Sequence, residues 1–226
     1  DINNCIDHSP PPSAEFVLIT DTPTREGSLL IHHFLSSYLK AQTNVCLISF
    51  EEDFQHYVHI ARKFGLQLSE EVEKGKMIFV DGFSRPYAHL SSEESKPTGV
   101  NAKASTFSID SGKDLRSCVN EFLSLVWGNL RKFYDGPDRT STCVIIDSLS
   151  TFMNSSNFNT KDAIHLVHYL KVLCQRQPYS ASVVLLMPTC SDAPGPRSRS
   201  LALRYAEHSA DLILDVSPLP SGTSFS

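Results

Sequence analysis

The sequence predicts a doubly wound α/β domain, a mostly parallel sheet with helices on both faces. Three observations carry that expectation. Short, nearly continuous apolar runs recur, among them Phe16–Thr20, Asn44–Phe50, Cys143–Asp147 and Ser182–Met187. A strand without polar alternation is buried on both faces, as in a parallel sheet. Stretches with apolar residues at helical spacing separate the runs, giving a βα alternation. Finally, 226 residues at 41% hydrophobic suffice for one large core without disulfide or metal support.

In chain order, residues 1–13 are mostly polar and nearly end in Pro10-Pro11-Pro12, so they read as a tail. Phe16–Thr20 is the first strand. A polar turn from Asp21 to Gly27 leads to a helix opened by Ser28, with Leu30, Ile31, Phe34, Leu35 and Tyr38 on one apolar face. Asn44–Phe50 is the second strand. Glu51-Glu52-Asp53 reads as the acidic first turn of a helix running to about Phe64, which Gly65 closes. A short helix from Ser69 to Lys74 ends at Gly75, and Met77–Val80 is a third strand.

Ser84 to Gly112 is rich in Ser and Lys and reads as a flexible insertion. Asp114 starts a helix in which Leu115, Val119, Phe122, Leu123, Val126 and Leu130 share a face. Cys143–Asp147 is the fourth strand, and Ser148 to Thr160 reads as a loop. Thr160 caps a helix whose apolar side is Ala163, Ile164, Val167, Leu170 and Cys174. Ser182–Met187 is a fifth strand and Pro188–Ser200 a loop. A helix over Leu201–His208 precedes a sixth strand, Asp211–Asp215. The expected organisation is a tail at 1–13 and one domain at 14–226, with the insertion at 84–112.

The formal charge of -5 argues against a broad nucleic-acid footprint, leaving only a local basic loop for that role. The six cysteines are scattered with no C-x-x-C pair, so neither zinc nor a disulfide framework is expected. Free buried cysteines point to a reducing compartment, the cytoplasm or also the nucleus. No apolar run approaches the ~18 residues of a membrane span, so no membrane partner is expected. The chain begins without Met, which leaves room for a missing N-terminal piece.

Strand, turn and helix over residues 16–40 is where a P-loop protein cradles phosphate. Aligning Ser28 with the end of G-x-x-x-x-G-K-[ST] puts Gly27 at the Lys position, and Glu26 and Asp21 at the Gly positions. Carboxylates there repel phosphate by roughly 1–4 kcal/mol each at about 4 Å. The simpler reading is Ser28 as N-cap with Glu26 near the positive helix end. Asp147, closing an aliphatic strand, matches the magnesium-holding acid of P-loop proteins. Glu51 and Glu52 follow the second strand, where RecA-like ATPases commonly keep a catalytic carboxylate. Carboxyl ends of parallel strands share one edge, so these acids are expected around one crevice. An acid after an aliphatic strand is common on its own, and each alone reads as a solvated helix start. The expected nucleotide-type site, with its phosphate grip lost, is therefore Gly27, Ser28, Glu51, Glu52 and Asp147.

No residue is assigned a catalytic role, since no G-x-S-x-G elbow or legible Cys–His pairing exists. His165 and His168 have helical metal-ligand spacing but no visible third ligand, and His32 and His33 are adjacent on their helix, so all read as structural. The stretch 194–199 carries Arg197 and Arg199, either solvated or in contact with RNA phosphate.

Several stretches together resemble the family of the sixth subunit of the Elongator complex: GSLLIHHFLSSYLK above all, with FEEDFQHYVHIARKFGLQL, IIDSLS and AIHLVHYL. The resemblance runs from Phe16 to Val216 and is weakest across Ser84 to Gly112, a stretch longer than the family pattern. It implies a RecA-like fold without a working Walker A and without a cofactor. It also implies a hetero-hexameric ring with subunits four and five, which binds tRNA and assists the catalytic subcomplex that modifies the wobble uridine at its 5-position. Family members continue with further strands, so the resemblance implies that this chain stops within a hairpin after Val216. The alternative is a RecA-like NTPase or recombinase-type ATPase with an atypical phosphate loop.

Overall fold

The computed structural model describes residues 14–22, 27–82, 105–106, 115–136, 140–155, 160–176, 180–189 and 200–217. The tail, most of the 84–112 stretch, and Arg197 and Arg199 lie outside the described residues. The strands are β1 (Phe16–Thr20), β2 (Asn44–Ser49), β3 (Met77–Asp81), β4 (Ser105–Thr106), β5 (Thr142–Asp147), β6 (Ser182–Leu186) and β7 (Leu212–Asp215). The helices are α1 (Ser28–Lys40), α2 (Phe54–Lys63), α3 (Leu68–Glu73), α4 (Leu115–Tyr134), α5 (Leu149–Ser155), α6 (Thr160–Gln175) and α7 (Leu201–Ser209).

Among the described residues the seven strands pair in parallel, in the order β4-β3-β2-β5-β6-β1-β7. Parallel crossovers are right-handed, so the direction of travel across the sheet decides the face a helix covers. From β1 to β2 to β3 the chain moves one way, and α1, α2 and α3 share one face with Val17, Ile19, Val45, Leu47, Cys143 and Ile145. From β4 onward it moves back, and α4 to α7 cover the other face with Phe16, Leu18, Cys46, Ile48, Val144 and Ile146. Alternate residues of each strand thus feed opposite cores, which is why the strands read as unbroken apolar runs.

The direction reversal creates two junctions where neighbouring strands lead to opposite faces: β2 beside β5, and β1 beside β6. In open α/β sheets, such junctions at the carboxyl ends are where crevices form.

Several details differ from the sequence expectations. Residue 148 to 160 is not all loop: α5 occupies Leu149–Ser155, with Leu149 and Phe152 fully buried in the core. Two apolar residues three apart are enough for one buried helical turn. Ser28 is the first helical residue of α1, and the cap position belongs to Gly27. The acids after β2 precede α2 and do not form its first turn; Asp53 is its N-cap, accepting from the His56 amide at 2.8 Å. Within the 84–112 stretch, Ser105–Thr106 pairs with β3 as an edge strand. Gly65 and Gly75, both at φ 75, follow α2 and α3 as expected of helix terminators.

Candidate functional site

At the β2–β5 junction, Ser49 and Asp147 stand side by side in register. Asp147 is 2% exposed. Tyr57, the fourth residue of α2, brings its hydroxyl back to this edge and donates to Asp147 Oδ2. The same hydroxyl lies 3.1 Å from Ser49 Oγ. Ser49 Oγ in turn accepts from the Glu52 amide at 3.0 Å and donates to the Glu52 carbonyl at 2.8 Å, fixing the backbone after β2. Asp147 Oδ1 and Ser148 Oγ are buried with no hydrogen-bond partner among the described residues.

Burial pushes the Asp147 carboxyl up to about 7; the Tyr57 bond holds it down, and the charges of Glu51, Glu52 and Asp21 push it further up. Burial, then the neighbouring Asp147, pushes the Tyr57 phenol above its ordinary range. His32 packs against this group from α1, its ring centroid 5.2 Å from Tyr57 and 5.6 Å from His56. Burial, helped by His56, lowers His32 to about 4, so it is neutral at physiological pH. Glu51 and Glu52 are exposed. Thr151 of α5 donates to Glu51 at 2.7 Å, and His56 lies 3.5 Å from Glu52.

At the β1–β6 junction, Asp21 is held from two sides. Its carbonyl accepts from the amide and the hydroxyl of Thr189, both at 2.8 Å. Its Oδ2 accepts from the Gly27 amide at 2.8 Å. Gly27 is buried, and a Cβ there would lie 3.0 Å from Leu186 Cδ1 and 3.1 Å from Ile19 Cγ2. Only glycine brings the chain this close to the sheet without displacing those side chains.

Of the residues expected at one crevice, Asp147, Glu51 and Glu52 meet at one junction. Gly27 and Ser28 open α1 at the other, and the charge of Asp21 reaches Asp147 from there. The chemistry is that of buried or self-paired carboxylates. Among the described residues no three His, Cys, Asp or Glu side chains come together as metal ligands. His168 meets the Tyr205 hydroxyl at 3.0 Å. No described helix is long and apolar enough to cross a membrane.

Sequence reasoning missed Tyr57, Ser49, His32 and Thr189 as members of this site. Tyr57 belongs to the apolar stripe Phe54, Tyr57, Val58 and Ala61, and so reads as packing. Its place in the first turn after β2 is the signal that its hydroxyl stays near the edge.

Comparison with known proteins agrees with these features. The model of the family described as Elongation complex protein 6 matches residues 1–225. Elongator complex protein 6 of Xenopus laevis is 29% identical, over 92% of this chain and 74% of its own length. The Homo sapiens protein of that name is 26% identical, over 98% of this chain and 80% of its own. That of Dictyostelium discoideum is 22% identical, over 94% and 80%. Among solved structures, an uncharacterized Pyrococcus horikoshii protein in complex with an unknown peptide superposes with a TM-score of 0.64. It covers 90% of this chain and 78% of its own at 14% identity, a likeness that speaks for the fold alone, a parallel α/β sheet. With a family match spanning nearly all of the sequence, this chain belongs to the Elongation complex protein 6 family.

Proposed function

We propose that this chain is a non-catalytic RecA-like subunit of Elongator. In this reading it joins subunits four and five in a hetero-hexameric ring, which binds tRNA and supports the catalytic subcomplex in modifying the wobble uridine. Residues 14–226 act as one domain with an insertion at 84–112, and the assembly works in the cytoplasm, and also in the nucleus. The observation that carries the proposal is the family match over residues 1–225. The non-catalytic part is supported by the edge itself. The acid best placed for a metal, Asp147, is buried beneath the Tyr57 hydroxyl. Gly27 offers no ammonium where a P-loop has lysine.

The test is co-expression with Elongator subunits four and five, followed by mass determination and a tRNA-binding assay. A hexamer with two copies of each subunit that binds tRNA is expected. Replacing Arg197 and Arg199 with Ala is expected to weaken that binding and flatten its salt dependence. A lone monomer that ignores both partners, yet binds ATP and loses it on Asp147→Ala, overturns the proposal in favour of an NTPase.

A further inference from the structure

We propose that the Asp21 side chain is a built-in anion that closes the N-terminus of α1 and takes the place a phosphate oxygen would otherwise hold. Four observations carry this. The carboxylate is seated on the Gly27 amide, at the cap position of a 13-residue helix, at 2.8 Å. The paired donation of Thr189 to the Asp21 carbonyl fixes the backbone from the β6 side, so the carboxylate is held in position by the fold. Asp21 is only 8% exposed, so its charge sits in a low-dielectric setting where an amide and a helix dipole act strongly on it. Finally, a carbon added at Gly27 would lie 3.0–3.2 Å from Leu186, Ile19 and the Asp21 Cβ, so glycine brings this amide up to the carboxylate without displacing them.

The consequence is that the Gly27 amide is occupied by a carboxylate without a ligand. A nucleotide-binding relative of such a unit has amides waiting for phosphate. Here the chain supplies the negative charge covalently, six residues before the amide that receives it. The inference is independent of assembly with any partner and stands or falls separately from the ring.

The test is chemical rescue in the full chain. Asp21→Ala removes the carboxylate and leaves a hole of its size. Its Tm is expected to fall by about 5 °C, the scale of one charged buried hydrogen bond in a chain of this length. Formate, the smallest carboxylate, is expected to recover most of that loss, while chloride at equal ionic strength is not. The wild-type Tm is expected to be insensitive to formate and to inorganic phosphate beyond the chloride control. Asp21→Asn keeps shape and acceptor but drops the charge; it is expected to lose stability without formate rescue. Formate acting equally on wild type and Asp21→Ala, or Asn matching wild type, overturns the proposal. Should the Ala variant not fold, the Asn comparison decides alone.

Discussion

The Tyr57 hydroxyl donates to Asp147 Oδ2, tying the first turn of α2 to the last residue of β5. The contact is buried on both sides. A phenol has one hydrogen, and giving it to the carboxylate leaves Ser49 Oγ to satisfy itself on the Glu52 backbone. The acid is thereby kept inside the fold, with its second oxygen lacking a hydrogen-bond donor among the described residues.

That environment has a pH signature. Folded Asp147 keeps its proton to about 7, against an ordinary 3.8, so between those values the folded state binds more protons and this residue's contribution to stability falls as pH rises. His32 works the other way. Its folded value is about 4 against 6.5, so the unfolded state binds more protons there and its contribution rises with pH. The two oppose each other from about 4 to 6.5. Asp147→Asn removes one arm. The difference in Tm between Asp147→Asn and wild type is therefore expected to grow as pH is raised from about 4 to about 7. A difference constant with pH refutes the assignment.

Tyr57→Phe isolates the hydroxyl. The ring still packs between His32 and Phe79, but Asp147 loses its donor. A loss of roughly 1–3 kcal/mol is expected from the unsatisfied buried group. Because the hydroxyl holds the Asp147 carboxyl down, its removal shifts that titration further upward. Carboxyl carbon NMR of Asp147 reads this directly; an unmoved midpoint contradicts the model of the site.

The sheet was legible because every central strand is buried on both faces and so leaves an unbroken apolar run. The edges of the strands were less so. Asp147 and the Glu51–Glu52 pair could be placed at the carboxyl edge, since that follows from parallel order alone. Tyr57 could not, because its ring and its hydroxyl serve different parts of the fold and only the ring has a periodicity. Asp21 stands at a glycine position of the phosphate-loop pattern, and nothing in that pattern signals that its carboxylate meets the Gly27 amide six residues on. Contacts closed by a turn leave no repeating pattern to detect.

The short helix α5 was missed for a related reason: its polar residues are typical of a loop, and its role rests on Leu149 and Phe152. Phe152 stacks on Phe50 at 4.9 Å and on Phe122 at 5.1 Å between ring centroids. Phe152→Ala is expected to destabilise the chain by about 3–5 kcal/mol, comparable to other buried aromatic truncations. Denaturant titration checks this. A loss within about 0.5 kcal/mol, the range of ordinary surface changes, shows that α5 does not belong to the core.

Phe50 is also pressed from the other side. Gly82, just past β3, donates its amide to the Ser49 carbonyl at 2.8 Å. A Cβ at Gly82 would lie 2.5 Å from Phe50 Cδ1 and 3.0 Å from the Ser49 carbonyl oxygen. The ring cannot swing away freely, because Phe152 stacks against it and Phe122 lies tilted beside it, 6.0 Å between centroids. Gly82→Ala is therefore expected to cost about 1–3 kcal/mol by overpacking. Because the clash is with the ring, Phe50→Leu in the same chain is expected to recover part of the loss. A double-mutant cycle measures this coupling. Strict additivity of the two losses rejects the Phe50 clash and leaves the backbone carbonyl of Ser49 as the cause.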